Sequence, residues 1–325
     1  AGCGRAATKW NRISHRNVHE TRHFPRIGVP MIISASYRTD IPAFYSDWLR
    51  ARIDAGYAIV PNPYGGKPSR VPLSGPDVDG FVFWTRNARP AHAVFQRLFD
   101  SDVPFMVHYT VTGYPTALET SVPPADAALD DIRRLADRFG PRCVVWRYDP
   151  VFWSSLTPPD FHRENFAALA AALRGLVDEV TLSAAHIYRK TRRNTEESAG
   201  RAGFTWSDPP DGEKAALLRE LAGLAADQGM TATLCSQPAL LGEGLQPAQC
   251  IDSTRLADIA GQPIKARQKG NRPGCLCAES RDIGGYDSCP HGCVYCYAVG
   301  NRQRAKDILK QHDPASETLV PAPAG

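Results

Sequence analysis

The chain has 325 residues, 43% of them hydrophobic and 22% charged. That composition fills a sizeable core and excludes wholesale disorder, and no run of about 18 apolar residues offers a membrane-spanning helix. The net charge of +4 is concentrated in residues 1–30, where Arg5, Lys9, Arg12, Arg16, Arg22 and Arg26 face Glu20 alone. The body of the chain is therefore close to neutral, and a basic site must be local.

Residues 1–30 have no apolar period and are expected to be a basic arm without a folded role. Met31, the first methionine, heads the first good strand and is the alternative natural start. From there strands and helices alternate. MIISASYRTD, GYAIVPNP, GFVFWTRN, VPFMVHYTVTG, CVVWRYDP, EVTLSAAHIY and MTATLCSQ read as seven strands, and an eighth is expected near Gly261 to Ala266. Helices are expected from His92 to Asp100, around Asp126 to Phe139, and from Phe161 to Leu176, Glu213 to Gln228 and Arg302 to Gln311. Such alternation means βα units and a parallel sheet. Seven or eight units in about 240 residues suggest a TIM-type (β/α) barrel, incomplete or permuted, with a doubly wound sheet as the alternative. The expected organisation is an arm over 1–30, a barrel over 31–266, a cysteine-rich segment with a C-terminal helix over 267–312, and a flexible tail over 313–325.

Most strands end in residues capable of chemistry. Arg38 and Asp40 follow the first, His108 lies late in the fourth, Arg147 and Asp149 end the fifth, and Lys190 follows the sixth. In parallel α/β folds ligands bind at the carboxyl ends of strands, so these six are the candidates to bind or protonate a substrate.

Nine cysteines are present, five of them between Cys275 and Cys296. No apolar signal-peptide core is visible, so a cytoplasmic location is expected, where clustered cysteines read as metal ligands or catalytic groups. Cys289, Cys293 and Cys296 have the spacing C-x3-C-x2-C, with Gly292 between them to let the loop wrap. Three thiolates on one loop hold three irons of a [4Fe–4S] cluster and leave one iron without a partner from that loop. Cys235, Cys250, Cys275 and Cys277 form a second, irregularly spaced set that suits an auxiliary [4Fe–4S] cluster or a zinc ion. In another partition, Cys275 or Cys277 caps the triad as fourth ligand. Cys143 begins an apolar strand and reads as a core residue.

The triad, with Tyr295 before its last cysteine, resembles the radical SAM signature. SYRTDIPAFY, FVFWTRN, WRYDP and CLCAESRDIGGYDSCPHGCVYCYA together resemble the domain of unknown function 1848 family, over about Met31 to Ala298. The first resemblance implies a [4Fe–4S] cluster whose open iron binds S-adenosylmethionine (SAM), reductive cleavage of SAM, Tyr295 packed near the adenine, and an electron donor such as flavodoxin or ferredoxin. The second brings no settled reaction. In the radical SAM superfamily the triad follows the first strand, whereas here it follows nearly all of them. The superfamily's Gly-Gly-Glu motif is also missing. Gly65-Gly66-Lys67 is a partial likeness, but a lysine cannot accept from the SAM ammonium, leaving Asp40 or a backbone carbonyl for that task.

Basic runs at Arg189-Lys190 and Arg192-Arg193, and at Lys265, Arg267, Lys269 and Arg272, suit a phosphate-bearing substrate or nucleic acid. The sequence therefore favours an iron–sulfur enzyme of radical SAM type with no membrane partner. The competing class is a non-enzymatic iron–sulfur or zinc protein that binds nucleic acid or transfers electrons.

Overall fold

β1 (Met31–Ala35) is buried along four of its five residues, as expected of a strand covered on both faces of a parallel sheet. The structure is a computed structural model that describes residues 31–62 and 65–320. Around β1 lie β4 (Val78–Thr85), β5 (Phe105–Thr110), β6 (Val144–Val151), β7 (Glu179–Ala184), β8 (Thr231–Leu234), β9 (Leu245–Pro247) and β10 (Ser280–Asp282). They form one parallel eight-stranded sheet in the order β10-β1-β4-β5-β6-β7-β8-β9. Each new strand joins the same growing edge, and the last returns beside the first. A doubly wound sheet would reverse direction part-way. No strand ladder joins β9 to β10 among the described residues.

The core is aromatic where β4 and β5 meet the helix His92–Asp100. Phe83 lies edge-on to Phe95, and Phe95 stacks on Phe105 at 5.3 Å. Each such ring contributes about 1.5–3 kcal/mol through burial. The helix Ala125–Phe139 buries Ala128, Ile132, Leu135 and Phe139, one stripe at helical spacing. Cys143 is buried in the core, where its Sγ donates to Phe139 O.

Several elements differ from expectation. The second anticipated strand, β2 (Tyr57–Val60), pairs antiparallel with β3 (Ser69–Pro72) outside the main sheet. Gly65-Gly66-Lys67 lies in the connection between them, and Tyr64 falls outside the described residues. No strand forms at 261–266; Gly261 instead ends the helix Ser253–Ala260 in a left-handed conformation. The two remaining strands of the sheet are the three-residue β9 and β10, so the sheet runs to Asp282 rather than stopping at 266. Arg189–Ala202, read as a basic run, is a helix. Residues 313–320, expected as tail, pack on the helix Ser46–Ala55. Trp48 Nε1 donates to Ser316 O (2.9 Å), Arg52 Nη2 donates to Ala315 O (3.0 Å), and Leu319 is buried. The expected arm over 1–30 and residues 321–325 lie outside the described residues.

Candidate metal and substrate site

The triad loop is fixed over the carboxyl ends of several strands. Its backbone forms an antiparallel bridge between Cys293 and Glu119, in which Val294 N donates to Leu118 O (3.0 Å). Ser121 N donates to His291 O (2.8 Å). Tyr45 Oη donates to Ser288 O (2.7 Å), which ties the loop to the segment after β1. Gly292 has φ +78°, and a Cβ there would lie 2.4 Å from Arg302 Nε. The turn therefore needs glycine for both its conformation and its space.

Asp40 is the hub beneath this loop. Its carboxylate accepts from Ala43 N (3.0 Å), Thr85 Oγ1 (2.7 Å) and Arg86 N (2.8 Å), and His291 Nε2 lies 2.7 Å away. With four partners it orients the loop, and it is not placed as a spare acceptor for a ligand amine. Tyr295 points inward. Its ring lies against Tyr114 and Phe152, its hydroxyl bonds Glu119, and Arg86 Nη2 donates to it at 2.8 Å. Arg86 also pairs with Glu119 at 2.8 Å. Arg86, Thr112, Tyr114 and Glu119 border a cavity of ≈ 210 Å³. Tyr295 thus belongs to a buried polar network, not to an open face awaiting an adenine.

The three triad thiols are half-buried and unpaired as disulfides. Burial pushes all three up, Cys293 to about 12, and neighbouring triad thiols add to this at Cys289 and Cys293. Arg86 opposes the shift at Cys293 and Cys296, and Lys190 opposes it at Cys296. Buried neighbouring thiols of this kind suit a positively charged group that displaces their protons. Among the described residues no three His, Cys, Asp or Glu side chains are already set around one metal-ion position. A cubane is held by separate thiolates on separate irons, so it requires convergence and not a shared coordination point. On that ground the donor set fits an iron–sulfur cluster.

The second set also comes together. Cys235 Sγ and Cys250 Sγ are 3.6 Å apart. Cys277 neighbours Cys250, and Cys275 neighbours Cys277, each close enough to shift the other's thiol. Arg147 Nη1 donates to Cys250 Sγ and Arg272 Nη2 to Cys235 Sγ, both at 3.2 Å. Ile251 N donates to Cys277 Sγ at 3.3 Å. The bond to Cys277 holds the Cys275 thiol down at about 5. Cys275 and Cys277 are thus grouped with Cys250 and Cys235.

The remaining predicted residues fall into two groups. Arg38 lies in a knot around Asp282, which accepts from Arg38 Nε (2.9 Å), Ser34 Oγ (2.6 Å), Ser36 Oγ (2.8 Å), Tyr37 N (3.1 Å) and Gly284 N (2.9 Å). Lys190 Nζ sits 5.6 Å over Tyr286, and the Arg38 guanidinium sits 5.4 Å over the same ring. Tyr297, whose hydroxyl donates to Tyr37 O, adds a partly exposed ring beside them. Arg38 and Lys190 therefore flank one exposed tyrosine ring, and Lys190 lies near Cys296.

Arg147, Asp149 and His108 belong instead beside the four-cysteine set. Arg147 pairs with Asp149, which Ser183 also bonds. Burial alone would push the Asp149 carboxyl up, but Arg147 and Ser183 outweigh it and hold it below the usual range. His108 stacks on Trp84, and its Nε2 lies 2.6 Å from Cys250 O, while burial, helped by Arg147, pushes the ring well below its ordinary value. It is neutral at pH 7.

Asp282 and Glu119 are the functional-site residues that sequence reasoning did not single out. Each is an isolated acid in a polar stretch, and only the fold shows the buried arginine opposite it. His291 is buried against Phe44 and Asp40. Arg267 and Lys269, read as part of a basic run, are occupied by Glu279.

A family model described as "Domain of unknown function (DUF1848)" matches residues 32–298. The chain belongs to this family. The matched span opens inside β1 and closes two residues past Cys296, so both cysteine sets lie within it. No curated protein matches the chain. A solved structure, that of a D-hydantoinase, is similar over 64% of this chain and 41% of its own length, at 10% identity and a TM-score of 0.30. A likeness at that level carries no argument. No helix among the described residues is long and apolar enough to cross a membrane.

Proposed function

We propose that this chain is an iron–sulfur enzyme of radical SAM type, in which Cys289, Cys293 and Cys296 hold a [4Fe–4S] cluster and SAM occupies its remaining iron. The observation that carries the reading is the separation of the two cysteine sets. Cys277 neighbours Cys250, which lies 3.6 Å from Cys235, and Cys275 neighbours Cys277; this grouping supports a triad whose remaining iron is left for SAM. When bound, such a cluster supplies the electron that cleaves SAM to methionine and a 5′-deoxyadenosyl radical.

The chain's own residues prepare that site. Asp40 and Glu119 anchor the triad loop from two sides. Arg86 and Lys190 lower the cost of thiolate charge beside Cys293 and Cys296. Lys190 and the exposed rings of Tyr286 and Tyr297 lie beside this site and suit a substrate with an anionic, phosphate-like group and a flat face. The strand order, in which each new strand joins one edge and the last returns beside the first, supports a sheet curled into a TIM-type barrel with the triad loop at its carboxyl end.

The test is anaerobic reconstitution with iron and sulfide, followed by reduction with dithionite in the presence of SAM. The proposal expects 5′-deoxyadenosine from the native chain and none from Cys293→Ala. A fully loaded chain that leaves SAM intact, with or without oligonucleotide added, sinks the enzymatic reading.

A further inference from the structure

Cys235 follows β8, Cys250 lies just beyond β9, and Cys275 and Cys277 lie on the segment that leads into β10. β9 and β10 are the two edge strands of the sheet. The segment from 267 to 279 folds back on itself. Gln268 bridges Ala278, Lys269 N donates to Cys277 O, and Ala278 N donates to Ile251 O. Its turn is tight enough that a Cβ on Gly270 would lie 2.1 Å from Cys275 O. Backbone bonds alone make a thin seam here, and four sulfurs lie along it.

The spacing of the sulfurs identifies what suits them. Thiolate sulfurs bind zinc at about 2.3 Å, so two of them on one tetrahedral ion stand about 3.8 Å apart. Cys235 and Cys250 are 3.6 Å apart, with Cys277 next to Cys250 and Cys275 next to Cys277. A cubane interposes its irons between its thiolates and spreads them further than one ion does. The N–H groups of Arg147, Arg272 and Ile251 donate to three of the four sulfurs. Such donors match the negative charge of a thiolate set held away from water. Among the described residues no three of these side chains are set around one metal position; the pair Cys235 and Cys250 has the tetrahedral spacing.

We infer that Cys235, Cys250, Cys275 and Cys277 bind one zinc ion that staples the β8–β9 end of the sheet to the segment entering β10. This centre is structural, distinct from the triad, and independent of whether the triad binds SAM. A closed four-thiolate site leaves no position for a reacting molecule. Because the ion binds only where the seam is formed, its binding free energy adds to folding.

The experiment uses the full chain with Cys289, Cys293 and Cys296 all changed to Ala, so that iron at the triad cannot contribute. Metal analysis of this protein should give one zinc and no iron per chain. Addition of Cys250→Ser or Cys277→Ser should remove the zinc. Because those variants risk misfolding, the zinc-free triad-alanine chain should also be titrated with cobalt(II). The expected end point is one cobalt per chain, with the absorption of a tetrahedral thiolate complex and a rise in melting temperature that saturates at the same ratio. Iron and sulfide in place of zinc overturn the assignment. So do a folded chain that binds neither metal and a chain in which Cys235 and Cys250 are found joined as a disulfide. Loss of SAM cleavage in the parent chain, by contrast, tests only the triad.

Discussion

Removal of the Asp282 carboxylate should open the seam between β10 and β1. The side chains of Arg38 and Asp282 are 9% and 4% exposed and 2.8 Å apart, and four further donors point at the same carboxylate. Asp282→Ala leaves a buried guanidinium without its counter-ion, and breaking such a pair costs about 3–5 kcal/mol. Against a total stability of about 5–15 kcal/mol for a domain, that is a large fraction. Ser34, Ser36 and two backbone N–H groups also lose their acceptor, although the serine hydroxyls can turn elsewhere. The assay is urea unfolding of the full chain at pH 7 for Asp282→Ala, Arg38→Met and the double variant. Arg38→Met keeps much of the side-chain bulk and removes the charge. The double variant should be less destabilised than the two singles combined, by about 2 kcal/mol, because the uncompensated charge is gone. Additive losses, or an Asp282→Ala cost within about 0.5 kcal/mol of zero, which is the range of an ordinary surface substitution, would refute the reasoning.

Two further outcomes follow from the same geometry. His108 and His162 are both buried with lowered values, His162 at about 4, chiefly through desolvation. The unfolded chain takes up their protons below about pH 6.5 while the folded chain does not, so stability should fall with decreasing pH by about 1.4 kcal/mol per unit for each, and His162→Gln should remove one such share; an unchanged slope in chemical denaturation between pH 6.5 and 5 contradicts this. Gly292→Ala should cost about 1–3 kcal/mol from its left-handed backbone and displace Arg302 from Pro290 O and Ser121 Oγ, with lower iron retention after desalting; full iron content at native stability contradicts the need for glycine in the triad turn.

Long periodic elements were legible from residues alone. The strands at Met31, Phe81, Phe105, Val144, Val180 and Thr231 have buried, β-branched or aromatic runs, and the helix Ala125–Phe139 has an unbroken apolar stripe. β9 and β10 were not legible, because three residues such as Ser280-Arg281-Asp282 carry no period and are strands only through the partner beside them. GYAIVPNP has the right residues for a strand, but its partner is a local hairpin neighbour, a choice that tertiary context makes. The helix Arg189–Ala202 buries little beyond Thr191 and Thr195, so its apolar signal is nearly absent. At the site, the clustered cysteines stand out in the sequence, because a thiol is recognisable by side-chain type alone. The buried acids were hidden for the opposite reason. Asp282 and Glu119 matter through the arginines that the fold places against them, and nothing in their own neighbourhoods separates them from surface acids.

The central claim is that an iron held by Cys289, Cys293 and Cys296 is open to SAM. Electron paramagnetic resonance of the reduced, reconstituted chain, recorded before and after SAM is added, tests it most directly. Zinc at the other four cysteines gives no such signal, so the spectrum reports the triad alone if that assignment holds. The account predicts one reduced [4Fe–4S] signal whose g-values change on adding SAM and which disappears in Cys289→Ala, Cys293→Ala or Cys296→Ala. A reduced-cluster signal that SAM leaves unchanged, or one that survives loss of a triad cysteine, contradicts it.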